Sequence, residues 1–370
     1  MQPLSQNWER GLGGEGVKQI QVGLIGYGLA GATFHAPIIA AVPSLVLRRV
    51  VSSRTAEVAR DHPGAEAVSD AEALFADPQI ELVVIATPNP THHPLARRAL
   101  EAGKHVIVEK PFVVHLAEAD ELLRLAAEQG RVLSVYHNRR WDGDFQTVKQ
   151  LIGSGILGRV ATYESRFDRY RPQVRDRWRE RDEPGSGALY DLGSHLIDQA
   201  LHLFGLPETV LADVGAQRTG AQTDDYFHLL LGYGELRVIL HSGALVRQPA
   251  FRFAIHGDRG SFLKRGLDPQ EEQLKQGVRP GDARWGVEPE SQHGELVTEA
   301  EGLSVHARVE TLLGSYDAFY EGIAWAILEG APAPVTAADA RNTIAVIEAA
   351  LRSSREGSVV PFVASPSPPA

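Results

Sequence analysis

The sequence predicts an α/β protein in two parts: a doubly wound parallel sheet, then an α/β unit on a mostly antiparallel, open sheet. Three observations predict it. From Lys18 to His137, short apolar runs alternate with helical patterns. Beyond residue 209, strand-like runs follow one another without intervening helices. The length of 370 residues exceeds what one ordinary core serves, so two domains are expected.

In the first part, strands are expected at 20–26, 45–53, 81–87, 104–110 and 131–137, with helices near 29–42, 55–61, 70–77, 91–102 and 115–130. The strands are apolar throughout rather than alternating, which suits a parallel sheet covered on both faces. Thr91 is placed to cap its helix, and Gly103 and Gly130 sit where helices stop. After His137 the rhythm changes. A helix is expected at 144–153, a polar-alternating run at 161–172 and a helix at 188–204. Strands follow near 209–217, 224–231, 235–242 and 250–256, and two helices near 308–330 and 336–356 close the chain. The expected division is a disordered lead-in at 1–17, a first domain at 18–137, a second at 138–363 and a tail at 364–370.

Composition narrows the function. The formal net charge is −10, with 37 Lys and Arg against 47 Asp and Glu, which argues against nucleic acid or an anionic membrane as partner. There is no cysteine, so thiolate metal sites, disulfides and Cys nucleophiles are excluded. No window approaches 18 consecutive apolar residues, and the first residues lack an apolar signal core. A cytoplasmic protein is expected.

Gly26-Tyr27-Gly28-Leu29-Ala30-Gly31 matches G-x-G-x-x-G directly after the first strand and at the start of a helix, the context a dinucleotide fingerprint requires. Gly26 allows the tight turn, Gly28 lets the backbone approach a pyrophosphate, and Gly31 permits close helix–strand packing. The first part therefore reads as a Rossmann domain. An NAD site places an acid at the end of the second strand; here Ser52-Ser53-Arg54 stand there, with no acid until Glu57. Hydroxyls and a guanidinium suit a 2′-phosphate, so NADP is expected over NAD. The same serines could simply cap the helix that follows.

Two further segments carry groups capable of chemistry. Glu109-Lys110-Pro111 ends a strand on the side where doubly wound sheets bind ligands, which would put Lys110 near the nicotinamide as a hydroxyl-polarising or proton-donating group. A strand-end lysine reaching solvent is the plainer alternative. In the helix at 188–204, Asp191 and His195 stand at i and i+4, where a carboxylate can orient an imidazole. Asp198 and His202 continue the stripe and raise a metal site as a competitor. Yet His195 and His202, seven residues apart, are separated by roughly 10.5 Å of helical rise, so no metal is expected.

These segments together resemble the Gfo/Idh/MocA oxidoreductase family: the GYGLAG turn, Thr87-Pro88-Asn89-Pro90-Thr91-His92, Glu109-Lys110-Pro111 and Asp191-x-x-x-His195, in the family's order. SSRT, EKPF, NRRWDGDF, ESRFDRYRP and GSGALYDLGSHLIDQALHLFG most resemble its scyllo-inositol dehydrogenase (NADP+)-like branch. The resemblance implies a C-terminal α/β domain whose open sheet mediates a homodimer or homotetramer, with the active site in the cleft between domains. It implies Lys110, Asp191 and His195 as catalytic residues. It also implies that Thr87, Pro88, Asn89 and His92 lie with Glu109 along the cofactor.

The expected activity is hydride transfer between NADP(H) and an alcohol or ketone carbon of a polyol, cyclitol or sugar, with His195 moving the proton and Asp191 holding its ring. Substrate contacts are expected among Asn138, Arg140, Trp141, Asp144, Asp168, Arg169, Trp178 and Tyr226, although domain packing would explain each equally well. An NAD-dependent glycosidase of the same family, a biliverdin-type reductase and a non-catalytic NADP-binding regulator are the alternatives. The Ser-Ser-Arg end of the second strand disfavours the first, no broad apolar face signals the second, and the intact Lys110, Asp191 and His195 disfavour the third.

Overall fold

The computed structural model describes residues 18–363 except Pro249; the expected lead-in at 1–17 and tail at 364–370 lie outside the described residues. The first sheet contains β1 (Ile20–Ile25), β2 (Leu45–Val51), β3 (Glu66–Val68), β4 (Leu82–Ile85), β5 (His105–Val108) and β6 (Leu133–Val135). All are parallel, in the order 3-2-1-4-5-6. This is the doubly wound order, whose direction reverses between β1 and β4. The strands are apolar throughout because both faces are covered. Ile20, Val22, Leu24, Leu82, Val84 and Ile107 enter one core, and Ile25, Val83, Ile85, Val106 and Val108 enter the other.

The second sheet has nine strands: β7 (Val160–Arg166), β8 (Thr209–Gly215), β9 (Tyr226–Tyr233), β10 (Leu236–Gly243), β11 (Phe253–Gly257), β12 (Gly260–Lys264), β13 (Gly294–Ala300), β14 (Leu303–Val309) and β15 (Val360–Pro361). Their order is 14-13-12-11-7-10-9-8-15, antiparallel except where β7 runs parallel to β10. One face packs on the helix Ser194–Phe204; Phe227 and Leu229 of β9 point there, while Tyr226 and His228 alternate onto the open face.

Three expectations need correction. The short edge strand β3 was absent from the expected list, being only three residues long and not fully buried. The helix expected from 308 begins at Asp317, because 303–309 pair with β13 as β14. Thr91 precedes the helix His92–Glu101 without capping it; its hydroxyl donates to Pro88 O at 2.7 Å instead. Gly103 and Gly130 do end helices with left-handed φ of 71° and 60°.

The last two helices reach back to the first sheet. In Asp317–Glu329, Phe319, Tyr320 and Ile323 join the core on the β1 side. Ala337–Glu356 lies on the opposite face, with Arg341 bonded to Asp120 at 2.7 Å and Glu348 accepting from Leu116 N at 2.8 Å. Arg140, in the turn Asn138–Trp141, makes a bidentate pair with Asp198 at 2.8 and 2.7 Å, and both side chains are buried. This pair ties the end of the first domain to the helix Ser194–Phe204.

Removing one partner of a buried ion pair strands the other, which costs about 3–5 kcal/mol. Arg140→Met is therefore expected to lower unfolding free energy by about that amount in urea titration. Adding Asp198→Leu should recover more than half of the loss.

Candidate functional site

Parallel register brings the candidate residues to one edge. Ile25 pairs with both Val51 and Ile85, Ile85 with Val108, and Val108 with Val135. The segments that follow those strands therefore emerge side by side: Gly26–Gly31, Ser52–Arg54, Ala86–Pro88, Glu109–Lys110 and Tyr136–His137. This is the carboxyl edge of the sheet at its switch point, where open α/β sheets bind ligands.

The glycine turn is built as its spacing predicts. Gly26 has φ +98°, and a Cβ there would meet Ala86 O at 2.4 Å. A Cβ at Gly31 would meet Gly26 O at 2.0 Å, so only glycine allows the helical segment to pack this closely. Gly28 has nothing within 4 Å of the same position. Its missing side chain relieves no internal clash and leaves open room over the backbone. Tyr27 is buried, its hydroxyl donating to Asp61 at 3.2 Å, whereas Leu29 is exposed and Ala30 half-buried. The turn and its open space fit a dinucleotide pyrophosphate.

At the end of β2, Ser52 Oγ accepts from Arg54 N at 2.9 Å, and neither serine caps the helix Thr55–Asp61. Ser53 is exposed, and the exposed Arg54 guanidinium lies 3.6 Å from Glu57. Such a surface pair is worth at most about 1 kcal/mol, so Arg54 is available to another anion.

Several residues expected along the cofactor do other work. The ring nitrogens of buried His92 each lie 2.9 Å from a carbonyl, Pro111 O and Thr87 O, clamping two loops together. Burial pushes its pKa down against those two carbonyl contacts, and the ring in its neutral form donates to one of them. Buried Asn89 donates to Gly185 O at 2.7 Å, across to the second domain. Glu109 accepts from Lys110 N at 2.8 Å and pairs with His35 at 3.0 Å. Thr87 bonds Thr91 at 2.6 Å, and Pro88 stays exposed.

Lys110, at a cis Lys110–Pro111 bond, crosses the cleft to the second domain. Its Nζ donates to Asp191 O at 2.7 Å and to Asp191 Oδ1 at 2.9 Å. Arg179 lies 3.3 Å from the same carboxylate oxygen. Burial alone would raise the Asp191 pKa; Lys110, Arg179 and Arg169 overcome it and hold the carboxyl well below its usual range. Asp191 sits in a π-type turn, Leu189–Gly193, that leads into the helix bearing His195.

The expected Asp191–His195 hydrogen bond is not formed among the described residues. Two full cations bind a carboxylate more strongly than a neutral imidazole does, and they claim it. His195 Nδ1 is buried without a partner among the described residues. Burial, then Lys110 and Arg139, push its pKa well below the ordinary imidazole value. Facing it at 6.4 Å between ring centroids is His137, which has neither ring nitrogen bonded among the described residues. His137 was not among the expected site residues. Its signal is its place after β6, beside β5, the strand that leads into Lys110.

The substrate candidates divide. Arg140 is consumed by Asp198, and Asp144 is fully buried, accepting from Phe145 N at 2.7 Å with Arg252 3.6 Å away. Trp141 packs edge-on to Phe319. Asp168 accepts from Gly243 N at 3.1 Å near His241, and Tyr226 stands edge-on to that ring. Strand alternation sends Asp168 and Tyr226 to the open face of the sheet, away from the cleft. In this structure all five are engaged in packing or polar contacts within the protein. Asn138 is half-buried at the domain junction, and Trp178 carries the Arg179 guanidinium on its ring at 4.4 Å. Arg169 reaches the cavity beside Asp191.

Residues 20–137 match the family model described as an oxidoreductase family NAD-binding Rossmann fold, and residues 149–362 match that family's C-terminal alpha/beta domain. The chain belongs to the Gfo/Idh/MocA oxidoreductase family. Among its Gfo/Idh/MocA relatives is YdgJ, an oxidoreductase of Escherichia coli strain K12, 50% identical over 91% of this chain and 96% of its own. The scyllo-inositol 2-dehydrogenase (NADP(+)) IolW of Bacillus subtilis strain 168 is 46% identical over 92% of this chain and 95% of its own. The solved oxidoreductase yvaA of Bacillus subtilis superposes with a TM-score of 0.92 at 45% identity, covering 95% of this chain and all of the other. No helix among the described residues is long and apolar enough to cross a membrane.

The open space at Gly28 separates its role from that of its neighbours. Gly28→Ala should change unfolding free energy by less than about 1 kcal/mol. Affinity for a nicotinamide dinucleotide, read by quenching of protein fluorescence, should fall about tenfold or more, roughly 1.4 kcal/mol.

Proposed function

We propose that this chain is an NADP(H)-dependent oxidoreductase acting on a secondary alcohol or ketone carbon of a polyol, cyclitol or sugar. The observation that carries the reading is the meeting of Lys110, Asp191 and His195 at the carboxyl edge of the first sheet. When bound, the nicotinamide accepts or returns the hydride. The activity in IolW's name supports a cyclitol-like substrate and NADP. So does the end of β2, where Ser52, Ser53 and Arg54 offer hydroxyls and a guanidinium and no carboxylate.

The acid–base work falls to His195. Held neutral, the ring is ready to take the hydroxyl proton as the carbon loses its hydride and becomes a carbonyl. Lys110 spends two of its three ammonium hydrogens on Asp191; the third is free for the reacting oxygen, where it would stabilise developing negative charge. Asp191 thus acts by fixing Lys110 rather than by orienting the imidazole.

His195→Ala should lower turnover about 10²–10⁴-fold while NADPH binding is retained. Lys110→Met should also lose turnover; a change confined to cofactor affinity would refute its role. Because the His195 pKa lies below the ordinary value, its base form persists as pH falls. The acid limb of kcat/KM for oxidation should accordingly lie below the usual imidazole range in a pH–rate profile.

The cofactor assignment has its own test. NADPH should be used at least tenfold better than NADH in kcat/KM, and Arg54→Ala should erase most of that ratio. Equal use of both by the unaltered enzyme would overturn it.

A further inference from the structure

Beside Asp191 lies a cavity of about 50 Å³ walled by Arg169, Arg171, Arg177, Arg179 and Arg218. Its lining comes wholly from residues 169–244, so it is separate from the Ser52–Arg54 end of β2. We propose that this cavity is a subsite for an anionic group carried by the substrate, a carboxylate or a phosphate. The inference rests on the polyol or sugar reading above and narrows it to an acidic member of that class.

Backbone pairing fixes the cavity wall. Beyond β7 the chain stays extended: Arg169 N donates to Gly243 O at 3.0 Å and Arg171 N to Ala244 O at 2.7 Å. Alternation then turns Phe167, Arg169 and Arg171 to the same side, and the Arg169 guanidinium rests on the Phe167 ring at 4.8 Å.

The ion pairs leave charge over. Arg218 is taken by Glu180 at 3.0 Å and Asp225 at 2.8 Å, and Arg177 by Glu180 at 2.6 Å. Arg179 shares Asp191 with Lys110. The remaining carboxylate, Asp224, accepts from Leu189 N at 2.7 Å and pairs with no guanidinium among the described residues. Arg169 and Arg171 have no carboxylate partner among the described residues. Six cations, counting Lys110, face four carboxylates, an excess of two positive charges even with Asp224 ionised. Burial lowers the pKa of Arg169 to about 10, with Asp191 opposing and Arg171 adding to the effect, so it stays charged at neutral pH.

An excess of this kind in a partly enclosed pocket of a chain with net charge −10 is costly unless an anion joins it. Guanidiniums supply the forked, charge-assisted bonds that carboxylate and phosphate accept. The volume admits a few water-sized groups, hence one such head. Asp191 forms part of the wall, so an anchored anion would leave the rest of the substrate beside Lys110.

The test measures NADP+ reduction with D-glucose, D-glucuronate and D-glucose 6-phosphate, alongside neutral cyclitols. In parallel it measures the thermal stabilisation that each gives the NADPH-loaded protein. Arg169→Met and Arg171→Met are run beside the unaltered enzyme, with NADPH binding as the check on folding. At least one acidic sugar should be favoured over glucose tenfold or more, through KM, and the ratio should fall towards one in both variants and with added salt. The carboxylate and phosphate arms tell which head is bound. Glucose binding or reacting as well as both acidic sugars overturns the subsite, as does a preference that survives both substitutions. Turnover of neutral cyclitols without acid preference leaves the polyol reading standing and removes this one. Arginine-dependent stabilisation by an acidic sugar, with no turnover of any compound, does the reverse.

Discussion

The Lys110–Asp191 ion pair joins the two halves of this molecule chemically. Lys110 owes its position to the register of β5, which ends in line with the glycine turn and the ends of β4 and β6. Asp191 owes its position to the turn entering the helix Ser194–Phe204. Neither sheet alone makes a site: the first offers a dinucleotide-type edge, and the second offers an acid and an imidazole. The pair locks them at 2.9 Å, and Arg179 and the arginine cavity are arranged around its carboxylate.

The architecture holds that geometry with contacts outside the Lys110–Asp191 pair. Arg140–Asp198, Asn89–Gly185 and Arg341–Asp120 each span segments far apart in sequence. The two C-terminal helices cover opposite faces of the first sheet. The second sheet is therefore anchored on the first at several points around the cleft. Conspicuous polar residues near the domain junction, such as Arg140 and Asp144, have buried partners within the protein for this reason.

Much of this was legible in the sequence. The doubly wound order follows from strand–helix alternation and apolar strands, and the glycine turn from its spacing and context. What escaped the pattern did so for physical reasons. β3 is three residues at an edge, too short for any periodicity. β14 is largely exposed and has no apolar stripe, and its partner β13 buries only Gly294, Leu296 and Thr298, at alternate positions, among the described residues. Lys110, Asp191 and His195 stand out in the sequence as candidates, but their wiring does not. Helical spacing makes Asp191 and His195 neighbours, yet it carries no information on which cations from other segments compete for the carboxylate. Asp168 and Arg169 illustrate the same limit. They are adjacent in sequence, and strand alternation puts one on the open face and the other in the cleft. His137 was passed over because a single histidine at a strand end has no motif; only the alignment of β5 with β6 gives it meaning.

The wiring that spacing missed explains the chemistry better than the expected one. A carboxylate bonded to His195 would raise the basicity of the ring and keep it partly protonated near neutral pH. With Asp191 drawn to Lys110 and Arg179, the imidazole faces burial and nearby cations, and both favour its neutral form. The same cations favour negative charge on a reacting oxygen. In the proposed reaction, one distribution of charge would ready the base and stabilise the alkoxide it creates. It would do so by giving the carboxylate one helical turn from the imidazole to the lysine.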